Sequence, residues 1–380
     1  MGKKLAVSIG SLAVLCVLIG QSSAFLRKLY NPHTEVANAL IEQQFTAEDD
    51  SDVLFLTPYI EAGKLAEGRK LSEVTNLPGG VPKSTKSFSG YLTVNKQFNS
   101  NIFFWFFPPL VDKNTPVILW LQGGPGASSL YGLFVENGPL QVTEDLKVLE
   151  RNHTWNRDFA MLYFDQPVGT GFSFTDSDEG YAKNEVDVAR DMYEALRQFF
   201  TLYEDYRGNP FYVAGESYGG KYVPAITYKI HKEGENATNV GINLQGMTIG
   251  DGLCDPKNMH DYGDYLYQVG LLDELQRDHF YREQIKLQIF IDERKFEEAF
   301  RVFDALLNGD LTPGGTSYYR NVTGMSNYFN ILFDNEPVET GYYNNYLAEK
   351  AVRQAIHVGK MPYNDGSIVE KHLIKDIMDT

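Results

Sequence analysis

The chain has 380 residues, with 34 Lys plus Arg against 50 Asp plus Glu and a formal net charge of −16. No long basic cluster offsets that balance, so nucleic acid is excluded as an expected partner, since phosphate recognition rests on gathered cations. Its 2 cysteines, Cys16 and Cys254, exclude a disulfide-stapled scaffold, and at this length a large apolar core can take the staples' place.

Residues 1–24 read as a signal peptide. Lys3 and Lys4 supply the positive start, Leu5 to Ile19 form an apolar run, and Ser22-Ser23-Ala24 offers small residues for cleavage. The run is short for a spanning helix, so no stable membrane insertion is expected and the mature chain starts near Phe25. Removal of the leader takes Cys16 with it. Cys254 then has no intramolecular partner and is expected to be a small buried residue; pairing between two chains, hence a homodimer, stays open. The leader gives weight to three glycosylation sequons, at Asn152, Asn236 and Asn321.

Residues 25–87 are polar and irregular, a surface wrap with one helix expected over Glu35 to Gln44. Between Lys86 and Phe107, alternation and aromatic residues predict an antiparallel strand pair. Pro116 to Leu119 reads as a strand running into a glycine-rich loop, Trp120-Leu121-Gln122-Gly123-Gly124-Pro125-Gly126-Ala127-Ser128-Ser129, with a helix expected after Gly124. A strand over Ala160 to Phe164 follows. Asn184 to Tyr206 is the clearest helix, because Ala189, Met192, Tyr193, Leu196, Phe199, Phe200 and Tyr203 recur at steps of three and four. Strands over Asn209 to Ala214 and Leu244 to Ile249, with a helix between them, complete the rhythm of a mostly parallel α/β sheet, whose sites lie at strand carboxyl ends.

Residues 258–343 break that rhythm. They are expected to form an inserted helical cap over the site, the alternative being a solvated helical pair with no catalytic part. The predicted organisation is therefore a leader over 1–24, an α/β core over 25–257, the cap over 258–343 and a return to the core over 344–380.

Gly215-Glu216-Ser217-Tyr218-Gly219 carries the chemistry. It reads G-x-S-x-G between a strand and a helix, the context of a nucleophile elbow that lifts the Ser217 hydroxyl above the sheet. The earlier glycine loop can then aim a backbone N–H, that of Gly124, at the oxyanion of a tetrahedral intermediate, with the Tyr218 N–H as second donor. Either motif alone could be an ordinary turn.

Taken together these stretches resemble the serine carboxypeptidases, in particular the vitellogenic carboxypeptidase-like branch. The resemblance runs from Leu56-Thr57-Pro58-Tyr59-Ile60 nearly to the C-terminus. It includes Ser89-Gly90-Tyr91-Leu92, the glycine loop, Glu136-Asn137-Gly138-Pro139, the run Tyr163 to Ser173, the elbow and Ile249-Gly250-Asp251-Gly252. It implies an α/β-hydrolase fold, an acyl-enzyme on Ser217, peptide or protein C-termini as partners, and no cofactor or metal. It assigns the substrate's terminal carboxylate to Trp120, Gln122, Gly123, Glu136 and Glu216. Two carboxyl groups can face an anion only if at least one is protonated, so an acid optimum is expected. The alternative role for Glu216 is to cap the following helix.

Some positions depart from the family pattern. Gln122 stands where Asn is commonest, and Ala127 where many members have Cys. The family's catalytic Asp and His follow in later strands, whereas this chain reaches Thr380 soon after Gly366-Ser367-Ile368-Val369-Glu370. None of the histidines after Ser217 (His231, His260, His279, His357 and His372) sits on the glycine-flanked turn that carries the family's base. The expectation is a chain lacking its C-terminal strands, poorly soluble and nearly inactive alone. Alternatives are a secreted non-catalytic pseudoenzyme or partner-binding protein and, less favoured, an acyltransferase. The branch resemblance implies the secretory pathway, with a yolk-type secreted or endolysosomal destination.

Overall fold

The structure, a computed structural model, describes residues 53–81, 85–111, 114–312 and 314–379. The expected leader and the expected helix over Glu35 to Gln44 lie outside the described residues. The described part of the N-terminal wrap contains two short helices that the sequence did not signal, Thr57–Glu61 and Leu65–Leu71.

Two segments rich in aromatic and β-branched residues build the first hairpin. β1 (Phe88–Asn95) pairs antiparallel with β2 (Ser100–Phe107), as predicted. Unbroken apolar runs, the mark of strands covered on both faces, give β3 (Val117–Leu121), wholly buried. A short hairpin of β4 (Leu140–Val142) and β5 (Val148–Glu150) precedes the equally buried β6 (Ala160–Phe164) and the two-residue β7 (Thr170–Gly171). β8 (Pro210–Glu216) leads into the elbow and β9 (Asn243–Gly250) follows. β10 (Asn364–Asp365) pairs with β7.

The main sheet runs β1-β2-β6-β3-β8-β9. Its first two pairings are antiparallel and the other three parallel, the mixed, mostly parallel sheet of the α/β-hydrolase expectation. Because side chains alternate across a strand, one face carries Phe104, Phe106, Leu119, Leu121, Leu162 and Phe164. The opposite face carries Phe103, Trp105, Ile118, Trp120, Met161 and Tyr163.

Helices cover both faces. α1 (Glu185–Leu202) starts at Asn184, whose side chain accepts from the Asp187 N–H, and buries Ala189, Met192, Leu196, Phe199 and Phe200. It is shorter than predicted: Tyr203 leaves helical geometry and Glu204–Tyr206 forms a separate 3-10 turn. α2 (Gly219–Glu233) leaves the elbow directly. The helix expected after Gly124 is a single wide turn, Gly132–Glu136, of π type. A side chain at Gly132 would overlap the Trp120 indole, its Cβ lying 2.2 Å from Nε1, so the indole packs directly on the backbone of that turn.

Between β9 and the return lie α3 (Glu274–Asp292), α4 (Phe296–Phe303) and shorter helices. α3 opens with a reciprocal capping box between Asp273 and Gln276. Phe280, Leu287 and Phe300 from these helices join the same apolar cluster as the first sheet face. α5 (Lys350–Ala355) sends Val352 into the opposite cluster. α6 (Ser367–Met378) is tied to α2 by Lys221, whose Nζ donates to the Asp376 carbonyl at 2.6 Å.

One expectation fails. Cys254 is exposed, not buried: it lies in the irregular segment after β9, where its side chain is left at the surface while the neighbouring Gly252 and Pro256 are buried. Among the described residues no helix is long and apolar enough to cross a membrane.

Candidate active site

The elbow forms because β8 must turn sharply into α2. Ser217 has φ 54°, the left-handed region that non-glycine residues avoid. Its amide donates to the Gly250 carbonyl at 3.1 Å and its carbonyl accepts from the Leu253 N–H at 2.8 Å. Those bonds to the end of β9 hold the strained residue in place. Gly220 is required there, since a Cβ would lie 2.6 Å from the Leu253 nitrogen.

The glycine loop meets the elbow at close range. A Cβ on Gly123 would stand 2.5 Å from the Tyr218 nitrogen and 2.8 Å from the Ser217 Cβ. Gly124 has φ +108°. The loop is fixed beyond it by the Gly126 N–H, which donates to Tyr222 Oη at 3.2 Å, and by the Gln122 N–H, which donates to Ser129 Oγ at 3.2 Å. Tyr218 itself is buried, with Oη bonded to Asp376 Oδ2 at 3.1 Å.

Beside this junction a polar chain runs through Gln122, which is 1% exposed. Its Oε1 accepts from Trp120 Nε1 at 3.1 Å, and its Nε2 donates to Glu136 Oε1 at 3.3 Å and to Glu216 Oε1. One amide group thus serves two carboxyls. The helix after the elbow has no side-chain cap, so Glu216 is used toward Gln122 and not at the helix start.

Burial, then the facing Glu216, pushes Glu136 up to about 9. Glu216 is also raised, by burial first and by the charge of Asp251. Two carboxyls this close cannot both ionise cheaply, so the pair keeps a proton near neutrality. Glu136 Oε2 is buried without a hydrogen-bond partner among the described residues.

The run Tyr163 to Ser173 supports the site from below. Asp165 is fully buried, accepting from Ser128 Oγ at 2.5 Å and from the Phe172 N–H at 2.8 Å. Burial pushes it up to about 7. Tyr163 Oη donates to Asn137 Oδ1 at 2.9 Å, fixing the residue next to Glu136.

The histidines are engaged elsewhere. His231 is exposed on α2. His260 is buried against Phe303, with ring centroids 5.1 Å apart, and burial lowers it to about 4. His279 packs on Tyr318 at 4.0 Å, and His357 Nδ1 lies 3.1 Å from Ser89 Oγ. His372 Nε2 lies 3.2 Å from Asp178, its ring stacked on Tyr181. Among the described residues Ser217 Oγ has no hydrogen-bond partner.

Three residues around the site were not singled out from sequence. Asp251 lies inside a motif already noted and faces the carboxyl pair. Tyr131 follows the glycine loop, and Glu336 lies within hydrogen-bond reach of it at 3.4 Å. Nothing in the sequence marks Glu336, since it is one acid among many in an irregular segment. Asn152, Asn236 and Asn321 are all exposed.

A nucleophile elbow at the carboxyl end of a mostly parallel sheet, facing a glycine loop, defines an α/β-hydrolase. The fold matches that of KEX1(delta)P, a prohormone-processing carboxypeptidase from Saccharomyces cerevisiae, with a TM-score of 0.66, 21% identity, and coverage of 81% of this chain and 73% of that one. Residues 78–378 match the serine carboxypeptidase family (peptidase S10), and the chain belongs to that family. It is 52% identical over 334 residues to a probable serine carboxypeptidase, CPVL, of Homo sapiens, covering 87% of this chain and 69% of that protein. It is 48% identical to a venom serine carboxypeptidase of Apis mellifera, covering 88% and 71% of the two chains. With the vitellogenic carboxypeptidase of Aedes aegypti the identity is 40%, and the coverage 93% and 74%.

Proposed function

We propose that this serine carboxypeptidase removes C-terminal residues through an acyl-enzyme on Ser217, and that it works best in acid. The observation that carries the reading is the Gln122 bridge between Glu136 and Glu216, directly beside the elbow. An exopeptidase must hold a free carboxylate next to its nucleophile. Trp120 orients Gln122, the Gly123 backbone brings the loop to the elbow, and a protonated Glu136 donates to the anion. The scissile carbonyl then lies over Ser217 with its oxygen toward the Gly124 and Tyr218 N–H groups. Attack forms the Ser217 ester and releases the terminal amino acid; water then cleaves the ester.

The acid preference follows from the carboxyl pair, because ionising both places two negative charges against the substrate's own. The exposed sequons at Asn152, Asn236 and Asn321, and the venom and vitellogenic relatives, favour passage through the secretory pathway with glycosylation. The helices of 258–343 are read as a cap over the site.

The test uses an N-blocked dipeptide, its C-terminal amide and an organophosphonate serine reagent. Release of the terminal amino acid from the acid but not the amide, with a reagent mass on Ser217 that is lost in Ser217→Ala, is the expected result. Equal cleavage of acid and amide would overturn it. The absence of a hydrogen-bond partner on Ser217 Oγ among the described residues favours a second reading, a peptide-end binder without turnover. It predicts binding of the acid with neither hydrolysis nor labelling.

A further inference from the structure

We propose that the Tyr218 phenol and Asp376 are a positioning unit for the oxyanion site, and that Glu185 makes its hold depend on pH. The inference rests on the reading of the Gly124 and Tyr218 N–H groups as oxyanion donors. Helix α6 touches both halves of that site. At its start, a Cβ on Gly126 of the glycine loop would stand 2.7 Å from the Gly366 carbonyl oxygen and 2.9 Å from Val369 Cβ. Near its end, Asp376 Oδ2 accepts from Tyr218 Oη at 3.1 Å. Lys221, in the first turn of α2, donates to the Asp376 carbonyl at 2.6 Å and also to the Asp379 carbonyl. Tyr222 closes the circuit: its ring meets Tyr218 edge-on at 4.8 Å, and its hydroxyl accepts from the Gly126 N–H at 3.2 Å. One helix thus braces loop and elbow against each other. The buried Tyr218 side chain is the link, and fixing it fixes the backbone that carries the donor N–H.

Glu185, the first residue of α1, reaches the same place. Both its carboxyl oxygens are enclosed, and among the described residues neither meets a donor in hydrogen-bond geometry. The groups it faces are Asp376 and Lys221, beside the Tyr218 and Tyr222 hydroxyls. Asp379 faces Asp376 from the same helix and lies 3.8 Å from Arg294. Burial, then the charge of Asp376, pushes Glu185 up to about 8, and burial also raises Asp376. While Glu185 is neutral, Lys221 has one carboxylate of the pair to balance. Once it ionises, a second negative charge stands against Asp376 with no donor to hold it, and repulsion strains the contact between Asp376 and Tyr218.

The test is a binding measurement, independent of turnover. The full chain carrying Ser217→Ala is titrated calorimetrically with an N-acetylated dipeptide and with its phosphinate isostere, whose tetrahedral anion mimics the intermediate. Both ligands carry the terminal carboxylate, so the contribution of Glu136 and Glu216 cancels in the ratio of their affinities. The phosphinate should be preferred by roughly 100-fold in mild acid, as transition-state mimics are. Adding Tyr218→Phe or Asp376→Ala should cut that preference about tenfold, part of the loss of a whole oxyanion donor, with the weakening confined to the phosphinate. Asp376→Asn, which keeps an acceptor for the phenol, should restore most of it. The preference should also decline as pH rises through about 8, and Glu185→Gln should abolish the decline. Equal weakening of both ligands, an unchanged preference in Tyr218→Phe, or a decline that survives Glu185→Gln would overturn the proposal. No preference in the starting chain would sink the oxyanion reading and this inference with it. Equal binding of the dipeptide and its C-terminal amide would sink only the terminal-carboxylate reading, and the phosphinate preference would still decide the role of Tyr218.

Discussion

Gly123 and Ser217 approach so closely that a methyl group on the glycine would stand 2.8 Å from the Ser217 Cβ. The oxyanion-side loop and the nucleophile turn are therefore one packed unit, and their separation is set by the absence of a single side chain. Gly219, two residues along, has room by comparison: the nearest heavy atom to a Cβ there is the Leu121 carbonyl oxygen at 3.5 Å.

Gly123→Ala is expected to push loop and elbow apart, destabilising the protein by about 1–3 kcal/mol as overpacking does. If the chain turns over, kcat should fall by roughly 100-fold or more, the effect of misplacing an oxyanion donor. Gly219→Ala should change either quantity little. Thermal unfolding and steady-state kinetics of the two variants check the contrast.

The carboxyl pair makes a prediction about pH. Both groups lie above their ordinary value of 4.5, Glu136 as high as about 9. Their neutral forms are thus favoured in the folded protein. Stability is fullest below about 4.5 and declines as pH rises toward the folded value, whereas anion binding follows the folded-state titration and weakens as the folded pair ionises. The affinity for a peptide with a free C-terminus should fall as pH rises and the pair ionises, the last proton leaving at about pH 9. In the double variant Glu136→Gln, Glu216→Gln that slope should flatten; calorimetry across the range measures it.

His260 works in the opposite sense at acid pH. Burial lowers it from 6.5 to about 4, so the folded protein favours the neutral ring. The stability this provides is present above pH 6.5 and is lost as pH falls through 4, by at most about 3 kcal/mol. His260→Phe keeps the stacking on Phe303 and removes the titration. Its melting temperature should match the parent near pH 7.5 and exceed it near pH 4.5.

Asp165 should be hard to replace. Asp165→Ala would leave the Ser128 hydroxyl and the Phe172 N–H, both bonded to it now, buried without acceptors. Each such loss costs about 1–3 kcal/mol. Ser128 belongs to the glycine loop, so catalytic or binding activity should decline along with the denaturation midpoint. Chemical denaturation read beside peptide binding tests the link.

Local patterns determined a large share of this protein. Alternation and aromatic residues between Lys86 and Phe107 located the first hairpin, because a strand's side chains point alternately. The apolar recurrence from Ala189 to Phe200 located α1, and the strand-glycine-serine-glycine-helix order located Ser217, because a turn that sharp has few sequences that can make it. Family motifs brought Trp120, Gln122, Glu136 and Glu216 forward as one group. What only the tertiary structure decided was contact between distant segments. The sharing of one Gln122 amide by two carboxyls joins residues 94 apart in sequence, and Glu336 reaches Tyr131 across 205. The tight turn at Gly132 was equally hidden, being imposed by the Trp120 indole packed against it. The exposure of Cys254 depended on how the segment after β9 lies in the fold. Sequence patterns record what each segment must do with its own backbone and its own apolar face. Proximity and the sharing of a proton depend on where the folded sheet brings those segments together.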